Sequence, residues 1–354
     1  MEQTASSIFN PLNNSNGEDF TATDDGNVDE VPSLFNMIRS VVLFILTFVV
    51  IVSNGFTLLV LRRMHHMKEA TRVFLMSLTI SDILLGWFCL LPSAVISAIG
   101  GVDQPVFVAV HSALMMYLPH NDLSSVLLVN AERYIACVYP LKYSIWVTKK
   151  RSIVVVCSVW VFCASFATVY SLVLNLGTYK NAPPVYDPRY GYCMENTVWM
   201  HPVTAIGVKI ANVVIPLCLV VYIYIRLYRI SAQYQARKAE IMAVSRRQNR
   251  GNDCEEDALP KANHRALITF LLVTVTVVIG WFPYSVIIII EVYTNIRVPY
   301  QIIFISQCIL YCIPWVNVLI YFIRNEQFQK AARKMFRQWV PRASTDGTLS
   351  DIDI

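Results

Sequence analysis

No lysine or arginine occurs in the first 38 residues, and Asp, Glu, Lys and Arg make up only 15% of the 354-residue chain. Soluble domains carry roughly 25% charged residues. With 55% hydrophobic residues, this scarcity excludes an ordinary soluble domain and points to lipid. The chain also lacks the alternating segments of about ten residues that a membrane β-barrel needs. Its nine cysteines include no C-x-x-C pair, which excludes the usual zinc spacings. No basic-then-apolar start opens the chain, so no cleaved signal peptide is expected, and the first apolar run serves as an uncleaved signal. No nucleophile–base constellation or metal cluster stands out, so no enzyme and no metal site are expected. No internal repeat is visible.

What the chain does have is long apolar runs, each near the roughly 20 residues that cross a bilayer as a helix. Seven are found, at about 40–61, 73–98, 106–131, 152–176, 204–228, 266–290 and 299–323. Lipid offers backbone groups no partner, so such runs are helices. Lys and Arg set their orientation. Arg62, Arg63 and Lys68 follow run 1, and Lys142, Lys149, Lys150 and Arg151 follow run 3. The loop after run 5 and the tail after run 7 are also basic. The N-terminus is therefore expected outside and the C-terminus inside. The net charge of +5 reflects this inner bias and implies no nucleic acid.

The expected organisation has four parts. Residues 1–33 form a flexible acidic outer arm with a glycosylation acceptor at Asn13. Residues 34–323 form an all-α membrane bundle of seven transmembrane helices. In 324–337, apolar residues at 328, 331, 332, 335 and 336 follow helical spacing opposite a basic face, which suits a short amphipathic helix on the membrane surface. Residues 338–354 form a disordered tail.

Glu132-Arg133-Tyr134 closes the third run and leads into Pro140-Leu141. Charges at such a depth are costly and usually mark function. Run 1 holds Asn54, run 2 holds Asp82 in Leu78-Thr79-Ile80-Ser81-Asp82, run 4 holds Trp160, and run 5 holds Pro216 and Tyr224. Run 6 holds Gly280-Trp281-Phe282-Pro283, and run 7 holds Asn317-Val318-Leu319-Ile320-Tyr321, followed by Phe328. In order and spacing these motifs resemble the rhodopsin-like (class A) G-protein-coupled receptors over about 40–337. The resemblance implies that Glu132 holds Arg133 until activation, when Arg133 opens toward a heterotrimeric G protein. Leu141 is the implied apolar plug for that partner, with Tyr224, Asn317 and Tyr321 in the same machinery. Asn54, Asp82 and Asn317 correspond to the family's polar core and its sodium ion.

Four departures stand out. Val318 replaces the proline of Asn-Pro-x-x-Tyr, with Pro314 one turn earlier. The stretch from Val106 to His111 has no cysteine, so Cys193 lacks its usual partner and the second outer loop is expected to be more mobile. Val277 replaces a phenylalanine below Trp281, and Asn263 stands where many relatives have an acid that locks Arg133. Asp122 falls where the family has a serine beside the sodium. Either it shares the polar core with Asp82, so that one of the two is protonated at rest or cation binding is strengthened, or it simply hydrogen-bonds a neighbour.

By family position the ligand-pocket candidates are Met115, Pro119, Trp281, Tyr284, Ser285, Ile288, Gln307 and Tyr311. Met115 stands where amine receptors place an aspartate, so a peptide or a neutral or lipid-like ligand is favoured over an amine. Tyr311 stands where light sensors place a lysine, so no retinal is expected. In the tail, Ser344, Thr345, Thr348 and Ser350 beside acids suit phosphorylation by a receptor kinase and arrestin recruitment. The Ile352-x-Ile354 end suits a PDZ domain. The expected function is a plasma-membrane receptor that activates a G protein by an outward swing of span 6. The alternatives are a non-coupling receptor-like scaffold and an ion- or proton-coupled transporter using Asp82 and Asp122.

Overall fold

The computed structural model describes residues 31–64, 67–176, 184–194, 214–248, 259–294, 296–324 and 326–339. Span 1 is Ser33–Arg63 and span 2 is Glu69–Ile99. Span 3 is Pro105–Val138, span 4 is Lys149–Leu176, span 5 is Ile215–Gln248, span 6 is Leu259–Thr294 and span 7 is Tyr300–Arg324. A short helix, Pro140–Trp146, joins spans 3 and 4, and a surface helix, Glu326–Trp339, follows span 7. Between spans 4 and 5, β1 (Val185–Asp187) pairs antiparallel with β2 (Tyr192–Met194). Most spans are longer than their apolar runs because helix continues into the polar flanks. Span 3 runs past Glu132-Arg133-Tyr134 to Val138, so that triad lies inside the helix and does not end it.

Spans 1, 2, 4, 6 and 7 are long and apolar enough to cross a membrane by composition alone. Span 3 is long but carries His111, His120, Asp122, Glu132 and Arg133. Its position explains their presence. It packs against spans 2, 4, 5 and 6 and the hairpin, and Asn121, Asp122, Asn130 and Glu132 are all buried. Polar side chains inside a membrane bundle face its interior, where they find partners. Span 4 lies at the other extreme and presents Val154, Val161 and Phe162 outward, as lipid contact requires.

Local chemistry sets the ends and bends. Pro105 opens span 3 and the Gln104 side chain caps it, accepting from the Phe107 N–H at 2.7 Å. In span 2, Pro92 removes a donor that would reach back one turn to Phe88. The backbone there widens to a π-turn over Gly86–Leu90. Gly100 then ends span 2 with φ of 82°, a left-handed conformation natural to glycine. On the surface helix, Phe328, Ala332 and Met335 are buried and Phe336 is half exposed, while the Phe336 ring lies 5.2 Å from that of Phe56. That is the amphipathic docking its spacing predicts.

Candidate functional site

Three polar clusters stack along the bundle. At the inner end, Arg133 Nε pairs with Glu132 Oε2 at 2.9 Å. Thr71 of span 2 bridges the pair. Its hydroxyl donates to Glu132 Oε1 at 2.8 Å and accepts from the Arg133 guanidinium at 2.8 Å. The Tyr143 hydroxyl, from the short helix after span 3, also donates to Glu132. Burial, followed by this bond to Glu132, pushes the Tyr143 phenol up to about 12, so it stays a donor at any physiological pH. The ammonium of Lys68 sits 4.1 Å from the centre of the Tyr143 ring. Beside this closed cluster Leu141 is 89% exposed, a position suited to a partner's pocket.

One turn inside, Thr274 of span 6 donates to Asn130 Oδ1 of span 3 at 3.1 Å, and both residues are buried. This neutral contact ties span 6 to span 3. The side chain of Asn263, the position that lacks the locking acid, lies outside the described residues. Tyr224 of span 5 faces Tyr228, with ring centres 6.4 Å apart.

In the middle of the bundle Asp82, Asp122, Asn121, Asn317 and Tyr321 are all buried. The Asp82 and Asp122 side chains approach each other. Asn121 donates to Ser81 at 3.1 Å. The Oδ1 atoms of Asp82, Asp122 and Asn121, both amide atoms of Asn317 and the Tyr321 hydroxyl are buried without a hydrogen-bond partner. Buried polar atoms normally find partners. This oxygen-rich set fits a hard cation, which takes oxygen ligands. Asn54 lies at the edge, donating to Val50 O at 3.1 Å and to Pro314 O of span 7 at 3.5 Å. Trp160 donates to Ser77 of span 2 at 2.9 Å.

The outer cluster departs most from expectation. Cys193 is a free thiol and fully buried. It packs against Ile96 and Val108, the latter standing at the start of span 3 where a cysteine is missing. Burial pushes its thiol up to about 11, so little reactive thiolate forms. Other contacts hold the hairpin where the bridge is absent. Arg39 of span 1, 0% exposed, donates to Pro188 O at 2.7 Å, Arg189 O at 3.4 Å, the Tyr186 hydroxyl at 3.3 Å, Ser97 Oγ at 3.1 Å and Asn36 Oδ1 at 2.6 Å. The Cys193 N–H also donates to His111 Nδ1 at 3.4 Å. Gly191 closes the hairpin with φ of 73°, and a Cβ there would lie 2.5 Å from Arg39 Cζ. Both the turn and the guanidinium therefore require glycine.

The hairpin tip enters the expected ligand pocket. Tyr190 and Tyr192 are buried among Met115, Tyr284, Ile287 and Ile288. The Tyr192 and Tyr284 hydroxyls hydrogen-bond each other, and Gln307 donates to Tyr190 O at 3.1 Å. Burial, with Tyr284 and Glu291 nearby, holds the Tyr190 phenol above its ordinary value. Tyr311 and Trp281 are buried beneath, and the Trp281 ring lies 5.8 Å from that of His120. Pro119 and Ser285 are half-buried on spans 3 and 6 and stand outside this cluster. Asn13, Ser344, Thr345, Thr348 and Ser350 lie outside the described residues.

Sequence reasoning missed Arg39, Glu291 and the hairpin tyrosines. A signal existed for the first two, since a lone charge at the outer end of an apolar run is itself unusual.

Comparison with known proteins agrees with this arrangement. The family model described as 7 transmembrane receptor (rhodopsin family) matches residues 53–321. The chain is 24% identical over 298 residues to the alpha-1A adrenergic receptor of Oryzias latipes, covering 76% of this chain and 60% of that protein. It is 25% identical over 306 residues to the thyrotropin-releasing hormone receptor of Mus musculus, covering 80% and 75%. To the histamine H2 receptor of Cavia porcellus it is 23% identical over 253 residues, covering 71% and 66%. All three relatives are receptors, not enzymes. With a seven-helix bundle, the motif residues in place and a family match over most of its length, the chain belongs to the rhodopsin family of seven-transmembrane receptors, multi-pass proteins of the plasma membrane.

Proposed function

We propose that this receptor, its N-terminus outside and its C-terminus in the cytoplasm, binds an extracellular ligand in the outer half of the bundle and activates a heterotrimeric G protein. Activation swings span 6 outward and frees Arg133. The observation that carries this is the inner cluster. A guanidinium is held by Glu132 at 2.9 Å and by Thr71 at 2.8 Å, one helix away from the exposed Leu141. Such a pair is a two-state element, and a ligand shifts it only by preferring the open arrangement. The test is nucleotide exchange in membranes carrying the receptor and a panel of G proteins. Loading above that of receptor-free membranes is expected, falling to background in Arg133→Ala at equal surface level. Equal loading in the variant would refute the coupling role.

A peptide is the favoured ligand class. Met115 packs in an apolar cluster and offers no counter-ion to a buried amine, while a charge-bearing rim lies above it. The names of the relatives span amines and a peptide hormone. The receptor kinase and arrestin remain proposed partners of the tail.

A sodium ion is proposed for the middle cluster, held by Asp82 with help from Asp122 and Asn317. The ion would supply a fixed positive charge there and favour the resting bundle. Raising sodium in place of potassium should lower basal exchange, and Asp122→Ser should change that dependence several-fold. An identical sodium response in the variant would remove Asp122 from the site.

A further inference from the structure

The hairpin tip makes the contacts a ligand would make. Its two phenol rings lie in the pocket between spans 3 and 6. Gln307 of span 7 holds the Tyr190 carbonyl. Above them, Glu291 at the outer end of span 6 accepts from the Arg189 guanidinium at 2.8 Å, the Tyr190 hydroxyl at 2.5 Å and the Val298 N–H at 3.0 Å. One carboxylate thus gathers a cation and a phenol from the loop and fastens both to the start of span 7. In the same structure Arg133 is held by Glu132 and Thr71, so the filled outer pocket coexists with a closed inner end. The remaining support of the tip comes from outside the pocket, through Arg39 and the Asp187 turn, where the Gly191 N–H donates to Asp187 O at 2.8 Å.

We propose that Arg189-Tyr190-Gly191-Tyr192 is a tethered blocker of the receptor's own pocket, and that the activating ligand is a basic, tyrosine-bearing peptide that displaces it from Glu291 and Tyr284 and adds contacts of its own that prefer the open arrangement. The inference rests on the receptor function proposed above and adds the chemistry of the ligand. An occupant favours whichever state it contacts better. Here the contacts bind the outer end of span 6 to span 7 and to the loop, and so favour rest. The tether supplies an effective concentration in the millimolar range. A free peptide carrying the same two groups therefore needs further contacts to win.

The experiment empties the tip with Arg189→Ala plus Tyr190→Ala in the full-length receptor and uses acetyl-Arg-Tyr-Gly-Tyr-amide as probe. Basal nucleotide exchange should rise several-fold at equal surface level, and the probe should lower it again. In purified receptor the probe should raise the melting temperature of the emptied variant, with little effect on wild type. Adding Glu291→Gln should weaken that response at least tenfold. Basal exchange equal to wild type, or a melting temperature that the probe does not move, would overturn the proposal. Should the double variant fail to reach the surface, Tyr190→Phe removes only the hydroxyl bonded to Glu291. A rise in its basal exchange supports the blocker, and no change refutes it. The melting assay needs no G protein. A probe that binds a receptor unable to load any G protein would therefore sink the coupling reading while leaving the occupied pocket standing.

Discussion

Replacing Arg39 with alanine is expected to remove most of the receptor from the cell surface. The guanidinium is fully buried and donates to two loop carbonyls, two hydroxyls and the Asn36 side chain. Truncation leaves the buried Ser97 hydroxyl and the part-buried loop and Asn36 acceptors without their donor, and fills none of the space. A hydrogen bond to a charged group contributes about 1.5–3 kcal/mol, so losing several is a large share of the roughly 5–15 kcal/mol that holds a folded protein together. Arg39→Lys should rescue little, because an ammonium cannot spread its donors over a planar fork. Gly191→Ala should act in the same direction, since its methyl would enter the space of the Arg39 guanidinium. Reducing agent should leave wild type untouched, because Cys193 is a free thiol. Surface labelling of an N-terminal tag and the melting temperature of purified receptor both report on this. Wild-type values for Arg39→Ala, or a loss of wild-type receptor in reductant, would show that something else holds the loop.

How much of this was open to the sequence depends on how far apart the partners lie. The spans were legible because apolar runs and loop charges are local signals. Asp82, Arg133 and Trp160 were legible because each is chemically out of place in its run or part of a short motif. Arg39 was visible only as a lone charge at the edge of a run, and nothing local said what it holds. Its partners Pro188 and Arg189 lie about 150 positions away in the chain. The loop that holds them lacks any hydrophobic period, and an absent cysteine suggests slackness. Only the fold reveals the substitute, in which a guanidinium does by many hydrogen bonds what a disulfide does by one covalent bond. The missing acid at Asn263 likewise suggested a weakly held resting state. Yet Asn130 and Thr274, two neutral residues 144 positions apart, connect the same pair of spans.

That second latch leads to the other large expected effect. Glu132→Gln keeps the shape of the side chain but removes the charge that holds Arg133 and receives Thr71 and Tyr143. A hydrogen bond to a charged group contributes about 1.5–3 kcal/mol, and each 1.4 kcal/mol moves a two-state population about tenfold. Basal nucleotide exchange should therefore rise about tenfold or more if the resting state dominates in wild type. Thr274→Val removes a neutral bond of about 1 kcal/mol and should raise basal exchange about fivefold. The two changes act on different contacts. Glu132 fixes Arg133 to span 2 and to the Pro140–Trp146 helix, whereas Thr274 fixes span 6 to span 3. The double variant should consequently exceed either single one. Were Thr274→Val silent while Glu132→Gln is active, span 6 would not be held by Asn130, and release of Arg133 alone would set the basal level. Were both silent at normal surface levels, the inner cluster would be a static anchor and no switch.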